Sequence, residues 1–280
     1  MTQAIKRLEK LFTLQSGDAA PGCVWLVGAG PGDVELLTLK ALRLIKSADV
    51  VVYDRLVSDE IMAEVLPGTL AIDVGKKPGS HGLKQSQINQ LLADLAASGR
   101  LVVRLKGGDP FIFGRGGEEM LFLQQAGIAC QIVPGITAAA GCAAASGIPL
   151  THRDCAQSLR LITGHGKSGE PQLEDASLAA SNQTLVFYMG LKWSASISAQ
   201  LQAHGRVADT PVAIIENGTR PDQRVMVTTL ADLTVTIARE QAQSPALLLV
   251  GEVVRFYRQP QSAELNAISL MAKLTRIFPP

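Results

Sequence analysis

CVWLVGAGPGD, residues 23–33, decides the reading of the fold. A run suited to a buried strand passes directly into a turn built from Gly28, Gly30 and Gly32 around Pro31, and residues 35–47 then space their apolar side chains as a helix does. The same unit recurs downstream. DVVVYD (49–54) is a second strand, followed by a helix near 59–66 and a third strand near 70–74. Ile88, Leu91, Leu92 and Leu95 predict a helix over 84–97. RLVVRLKG (100–107) is a fourth strand, a helix follows from about 116 to 126, and IACQIV (128–133) is a fifth strand. Strands alternating with helices give a parallel sheet with helices on its faces.

Pro134-Gly135 marks the junction to a second α/β set: SLRLITG (158–164), TLVFYMG (184–190), PVAIIE (211–216), QRVMVTT (223–229) and PALLLVG (245–251). The ENGTRPD turn between PVAIIE and QRVMVTT is too short for a helical crossover. Those strands therefore pair antiparallel, and the second sheet is mixed. The expected organisation is an N-terminal α/β domain over 1–134 with an arm at 1–21, a C-terminal α/β domain over 135–258, and a tail over 259–280. The active site is expected in the cleft between the two domains.

Bulk composition narrows the function classes. Hydrophobic residues at 47% and charged residues at only 18%, against roughly 25% in ordinary soluble domains, exclude a disordered chain. A net charge of +1 argues against nucleic acid or a membrane as partner, and 4% aromatic residues leave few platforms for stacking bases. Residues 120–151 carry no charged side chain, but Gly127, Pro134, Gly135, Gly141, Gly147 and Pro149 interrupt them, so no continuous spanning helix is expected. Cys23, Cys130, Cys142 and Cys155 form no C-x-x-C pair, which predicts no metal site and four buried free thiols in a reducing cytoplasm. MTQAIKRLEKLF has charges inside its apolar pattern and does not read as an export signal.

Ligands of an open parallel sheet gather at the carboxyl ends of its strands. Five clusters fall there: GAGPGD (28–33), YDR (53–55), GKKPGSHG (75–82), KGGDPFIFGRGGEE (106–119) and VPGIT (133–137). Five together define a site. GAGPGD alone stays open between a plain strand-to-helix turn, whose glycines supply positive φ, and a ligand loop. A dinucleotide reading is weakened by the spacing, G-x-G-x-G in place of G-x-G-x-x-G, and by Pro31, which removes a backbone donor. In the longer cluster Gly107-Gly108 lets a ligand lie on bare backbone, Asp109 offers a carboxylate, and Pro110 stiffens the turn. Arg115 and Glu118, three apart, meet on the first turn of a helix beginning near Gly116. Such a pair is either a surface salt bridge or a functional pair, and its place on the ligand edge favours function.

GAGPGD, VYDRLVS, GKKPGSHGLKQSQIN, RLKGGDPFIFGRGGEE and VPGITAAAGCAAASGIPLTHRD together resemble the tetrapyrrole methylases over roughly residues 22–257. DRLVS and FGRGGEE point to the branch acting on uroporphyrinogen III, and the length resembles the single-function form. The resemblance implies S-adenosyl-L-methionine as cosubstrate, S-adenosyl-L-homocysteine as product, methylation at C2 and C7 to precorrin-2 by way of precorrin-1, and a homodimer. It places the cosubstrate on Pro31, Gly107, Gly108, Asp109, Ile112, Phe113, Thr137, Ala138, Met189, Gly218 and Ala246. Arg55, Arg153 and His165 fall to the carboxylate-rich substrate. For the proton that the ring must lose, Asp54 is the first candidate acceptor, Lys76 a donor, Glu118 an alternative base, and Arg115 a base only in an extreme environment. A dinucleotide-dependent oxidoreductase, a relative with another acceptor and a non-catalytic ligand-binding regulator are the rival readings.

Overall fold

The computed structural model describes residues 22–75, 83–166 and 169–259. The strands β1 (Cys23–Gly28), β2 (Val50–Tyr53), β3 (Leu70–Asp73), β4 (Leu101–Lys106) and β5 (Ala129–Val133) form one sheet in the order β3-β2-β4-β1-β5. Every pairing in it is parallel. One face, through Val27, Val51, Val103 and Leu105, packs on Ala41 and Ile45 of α1 (Leu39–Ser47) and Ile61 of α2 (Asp59–Met62). The other, through Val24, Leu26, Val52 and Val102, packs on Ile88, Leu92 and Leu95 of α3 (Gln85–Ala97) and Leu123 of α4 (Gly116–Gln125). Burial on both faces is why the central strands read as nearly unbroken apolar runs. The chain leaves β1 for β2 on one side and β4 for β5 on the other, although β1 and β4 are neighbours. The carboxyl ends of β1 and β4 thus flank the switch point where such sheets bind ligands.

Two helices are shorter than expected. Over 35–47, Asp33 accepts from Glu35 N at 2.9 Å and caps a single 3-10 turn, Val34–Leu36. Thr38 then caps α1 by accepting from Ala41 N at 3.1 Å. Two capping side chains five residues apart divide the stretch, because each favours an extended backbone at its own position. The helix expected near 59–66 stops at Met62, and tighter turns lead to Pro67-Gly68.

Leaving β5, the chain enters α5 (Ala138–Ser146), the small-residue helix of AAAGCAAAS, which ends on left-handed Gly147 (φ 67). The second sheet has β6 (Ser158–Thr163), β7 (Gln183–Tyr188), β8 (Pro211–Glu216), β9 (Arg224–Thr229) and β10 (Ala246–Val250) in the order β6-β7-β10-β8-β9. β6 and β7 are parallel and the other pairs antiparallel, β8 with β9 among them, so this sheet is mixed. Ala139 and Cys142 of α5 pack on its inner face against Val186, Tyr188, Ala213 and Ile215. The opposite face, with Leu185, Phe187, Ile214 and Leu248, is covered by α6 (Ser194–Ala203) and α7 (Leu233–Glu240). Among the described residues no helix is long and apolar enough to cross a membrane. The N-terminal arm and all of the tail beyond Gln259 lie outside the described residues.

Phe187 is fully buried at the centre of the outer core. Phe187→Ala is expected to lower unfolding free energy by about 3–5 kcal/mol in urea titrations followed by circular dichroism. A loss under about 1 kcal/mol would show that this face is not a close-packed core.

Candidate active site

Three strand ends are joined backbone to backbone. Gly30 N donates to Gly108 O at 3.1 Å and Gly108 N to Gly30 O at 2.7 Å. A Cβ on Gly28 would run into the backbone of Gly135 and Gly108, and one on Gly135 into Gly108 O and the backbone of Gly28. The loops after β1, β4 and β5 therefore meet at a separation that only glycine permits. Asp109 fastens them: its Oδ1 accepts from Phe111 N at 2.8 Å and its Oδ2 from Gly135 N at 3.0 Å. Both oxygens keep acceptor capacity, since a carboxylate offers about four lone-pair sites.

The second sheet supplies the facing wall. Pro31 lies where Gly141 of α5 leaves room for it, beside the Thr219 methyl. Asp33 N donates to Thr219 Oγ1 at 3.2 Å, and Arg220 Nη2 to Leu56 O at 2.7 Å while its stem crosses Gly32. Gly218 sits against Cys142 with no space for a side chain. Ala246 pairs with Glu216, and Asn217 N donates to Pro245 O, so Ala246 stands at the root of the 217–220 loop. At the end of β7, Tyr188 Oη lies 2.6 Å from Thr137 Oγ1 and accepts from Ala139 N at 3.0 Å. Its ring is 4.9 Å from that of Phe113, and Ile112 packs on the same core. Ala138 and Thr137 also border Gly108. Phe113, Arg115, Met189, Asn217 and Thr219 all have positive φ without being glycine, from 49 to 69. Such backbone costs of order 1–3 kcal/mol per residue and gathers where geometry is functional. Phe113 and Met189 keep 39% and 53% of their surface exposed, so each presents an apolar face to solvent in the free protein.

Below the ends of β2 and β4 lies a charged cluster that sequence reasoning did not pick out. Arg104, Lys106 and Glu119 are 4%, 3% and 0% exposed. Arg104 Nε and Lys106 Nζ both donate to Glu119 Oε1, at 3.2 and 3.1 Å, and Gln85 Nε2 adds a bond at 3.0 Å. Asp54 joins at the rim: Oδ1 accepts from Leu56 N at 3.0 Å, and Oδ2 is 3.8 Å from Arg104 Nη2. Burial pushes the Lys106 ammonium below its ordinary pKa, the neighbouring Arg104 charge adds to that, and Glu119 opposes it. The available signal was two cations at alternate positions of RLVVRLKG, which puts both on one face of a buried strand.

Arg115 and Glu118 form a fork, Nε to Oε1 at 2.9 Å and Nη2 to Oε2 at 2.6 Å, with both side chains about half exposed. The hydrogen bonds that Arg115 donates to Glu118 raise the Arg115 pKa and lower that of Glu118. This environment holds the proton on Arg115, the reverse of what a basic arginine needs. Arg55 is exposed, with its stem over Gly75. Lys76 lies outside the described residues. Arg153 is exposed in the 151–155 turn, and His165 is exposed just past β6, its amide donating to Thr163 Oγ1 at 3.2 Å. Neither makes an ion pair among the described residues. Of the thiols only Cys142 is fully buried, with its pKa pushed up to about 12; the other three are half-buried, where burial had been expected for all.

A family model described as Tetrapyrrole (Corrin/Porphyrin) Methylases matches residues 23–234. A siroheme synthase of Azotobacter vinelandii is 57% identical over 250 residues, which is 88% of this chain and 54% of that protein. The chain thus spans about half the length of the curated relatives it matches. The crystal structure of the native form of a uroporphyrin III C-methyl transferase from Thermus thermophilus is 41% identical, with TM-score 0.72, over 84% of this chain and 100% of that one. A second structure from that organism, of uroporphyrin-III C-methyl transferase complexed with S-adenyl homocysteine, matches with the same identity, TM-score and coverage.

An alanine methyl at Gly135 meets backbone on both sides, where no side chain is free to yield. Gly135→Ala is expected to cost about 1–3 kcal/mol of stability in urea titrations. Unchanged stability would mean that the three loops separate easily.

Proposed function

The chain belongs to the tetrapyrrole (corrin/porphyrin) methylases, and from that membership we propose that it transfers methyl groups from S-adenosyl-L-methionine to C2 and C7 of uroporphyrinogen III, giving precorrin-2 by way of precorrin-1. The observation that carries the reading is the glycine seam at the switch point of the first sheet, faced by loops of the second. Its support from relatives is the 41% identity to a uroporphyrin III C-methyl transferase matched along its whole length, and the S-adenyl homocysteine complex of such an enzyme. The siroheme synthase relatives support a place in sirohaem formation, and the cobalamin route begins with the same chemistry. The working form is a cytoplasmic homodimer.

The residues suit this cosubstrate. Gly108 leaves backbone bare for a ligand to lie against while Gly107 gives room to Leu56, Asp109 retains lone pairs, and Phe113, on the Tyr188 ring, and Met189, next in the chain, present exposed apolar faces. Pro31, Ile112, Gly218 and Ala246 close the surrounding wall. S-adenosyl-L-methionine supplies an electrophilic methyl on a sulfonium. The chain supplies alignment, which converts an encounter of two bound molecules into an effectively unimolecular step. Arg55, Arg153 and His165 hold substrate carboxylates, with arginine forks the natural partners. Asp54, at the rim and anchored by Leu56 N, takes the one proton that the ring must lose for each methyl gained and passes it to solvent, and Lys76 is the donor for any proton moved between ring positions, which leaves that net loss unchanged. The fork with Glu118 keeps Arg115 charged and oriented toward an anionic substrate.

Anaerobic incubation of the purified chain with uroporphyrinogen III and S-adenosyl-L-methionine is expected to yield a doubly methylated product. Folded protein that makes none defeats the reading. Arg115→Ala and Glu118→Ala should each lower kcat on the order of 100-fold while calorimetric binding of S-adenosyl-L-homocysteine survives; turnover unchanged in both removes the pair from the mechanism. NADH titrated in parallel separates the oxidoreductase reading, which requires it to bind.

A further inference from the structure

Thr137 occupies the N-cap position of α5, with the extended backbone of a cap (φ −64, ψ 149), yet its hydroxyl caps nothing. A threonine there ordinarily accepts from the second or third amide of the helix. Tyr188 takes that amide in its place, since Ala139 N donates to its Oη at 3.0 Å. A backbone N–H has only a proton to give, so one lone pair of the phenol oxygen is occupied. The phenol has a single proton, and its other oxygen neighbour is Thr137 Oγ1 at 2.6 Å. Ala139 N–H donates to Tyr188 Oη, and either hydroxyl of the Thr137–Tyr188 pair can donate to the other; the arrangement that leaves no proton of the buried phenol unpaired has Tyr188 O–H donating to Thr137 Oγ1. Burial raises the Tyr188 pKa, so the phenol keeps its proton at working pH. The ring is 9% exposed and held against Phe113. Thr137, having accepted, still has its own hydroxyl proton, and none of the described residues takes it.

We infer that Tyr188 is a positioning residue: by capping α5 in place of Thr137, it frees the Thr137 hydroxyl as a fixed donor to an acceptor atom of the cosubstrate bound along Gly107-Gly108. This rests on the methyltransferase reading above. The acceptor is an oxygen of the cosubstrate, on its carboxylate or its ribose. The arrangement also explains why a tyrosine stands where plain packing would be served by phenylalanine. Without the phenol, the threonine hydroxyl is drawn back to the helix amide that it would otherwise cap.

Calorimetric titration with S-adenosyl-L-homocysteine tests this on the full chain, with thermal melts to confirm that each variant is folded. Tyr188→Phe and Thr137→Val are each expected to weaken binding by roughly three- to tenfold, and Thr137→Ser to leave it unchanged. The double variant should bind no worse than Thr137→Val alone, within about twofold, because both changes break one chain of bonds. Wild-type affinity in a folded Tyr188→Phe protein overturns the inference, as do losses that multiply in the double variant. If the wild-type protein itself binds no S-adenosyl-L-homocysteine, the cosubstrate reading falls instead. Methylthioadenosine, which lacks the amino-acid end, separates the two acceptors: its affinity stays sensitive to Tyr188→Phe if the ribose accepts and becomes insensitive if the carboxylate does.

Discussion

Direct backbone contact among Gly28, Gly108 and Gly135 is the constraint on which the rest of the architecture depends. The ends of β1, β4 and β5 converge there, and the chain passes from β5 into α5 just beyond it. Because α5 packs on the inner face of the second sheet, the spacing of these three glycines also sets where that sheet stands. A side chain at Gly28 or Gly135 would push apart loops that Asp109 ties together through its bond from Gly135 N. The effect would spread, since close-packed interiors transmit a displacement more readily than they absorb it. The seam is therefore at once a packing device and a surface of bare backbone.

Beneath the seam the protein accepts a cost. Removing Arg104 and Lys106 from water is unfavourable by several kcal/mol per ion before compensation. Glu119 answers both cations from α4, and Asp54 is the second anion, at the solvent edge. Two basic and two acidic side chains thus balance one another in the cluster. One consequence is mechanical: Asp54 faces an arginine that is itself fixed by a fully buried carboxylate. A carboxylate mounted in this way is held at the solvent edge by an arginine that cannot itself shift freely.

What the sequence made legible and what it hid divide along one physical line. Strand and helix periods, the glycine punctuation and the short ENGTRPD turn are local, and from them came both sheets and the antiparallel pairing of β8 with β9. The ligand edge was legible because sheet topology alone gathers the strand ends. Local signals also misled where they competed: the apolar spacing of 35–47 read as one helix, whereas Asp33 and Thr38 each cap and so divide it. The contacts of Asp33 with Thr219, Leu56 with Arg220, and Thr137 with Tyr188 were hidden because they join residues 186, 164 and 51 positions apart. No spacing rule reaches so far. The 217–220 loop read only as a turn, and Tyr188 only as part of TLVFYMG. Family resemblance carried Met189, Gly218 and Ala246 into view, while leaving their neighbours unremarked.

Those long-range bonds also account for where the strained backbone lies. Among the described residues, five of the six positive-φ residues that are not glycine fall in the loops after β4, β7 and β8. Such conformations persist only when their surroundings over-determine them. Thr219 is held by Asp33 N and, through its own amide, by Gln223, and the ring of Phe113 lies on Tyr188. Arg115 is fixed by its two bonds to Glu118. Each strained residue with these partners thus sits at a place where one wall of the cleft is tied to the other or to the helix beside it. The energy stored in its backbone is offset by these contacts, of which the Asp33–Thr219 bond and the Phe113–Tyr188 ring contact exist only when the walls are correctly opposed. The cleft is consequently shaped before any ligand arrives, and binding energy is left for orientation instead of being consumed in assembling the site.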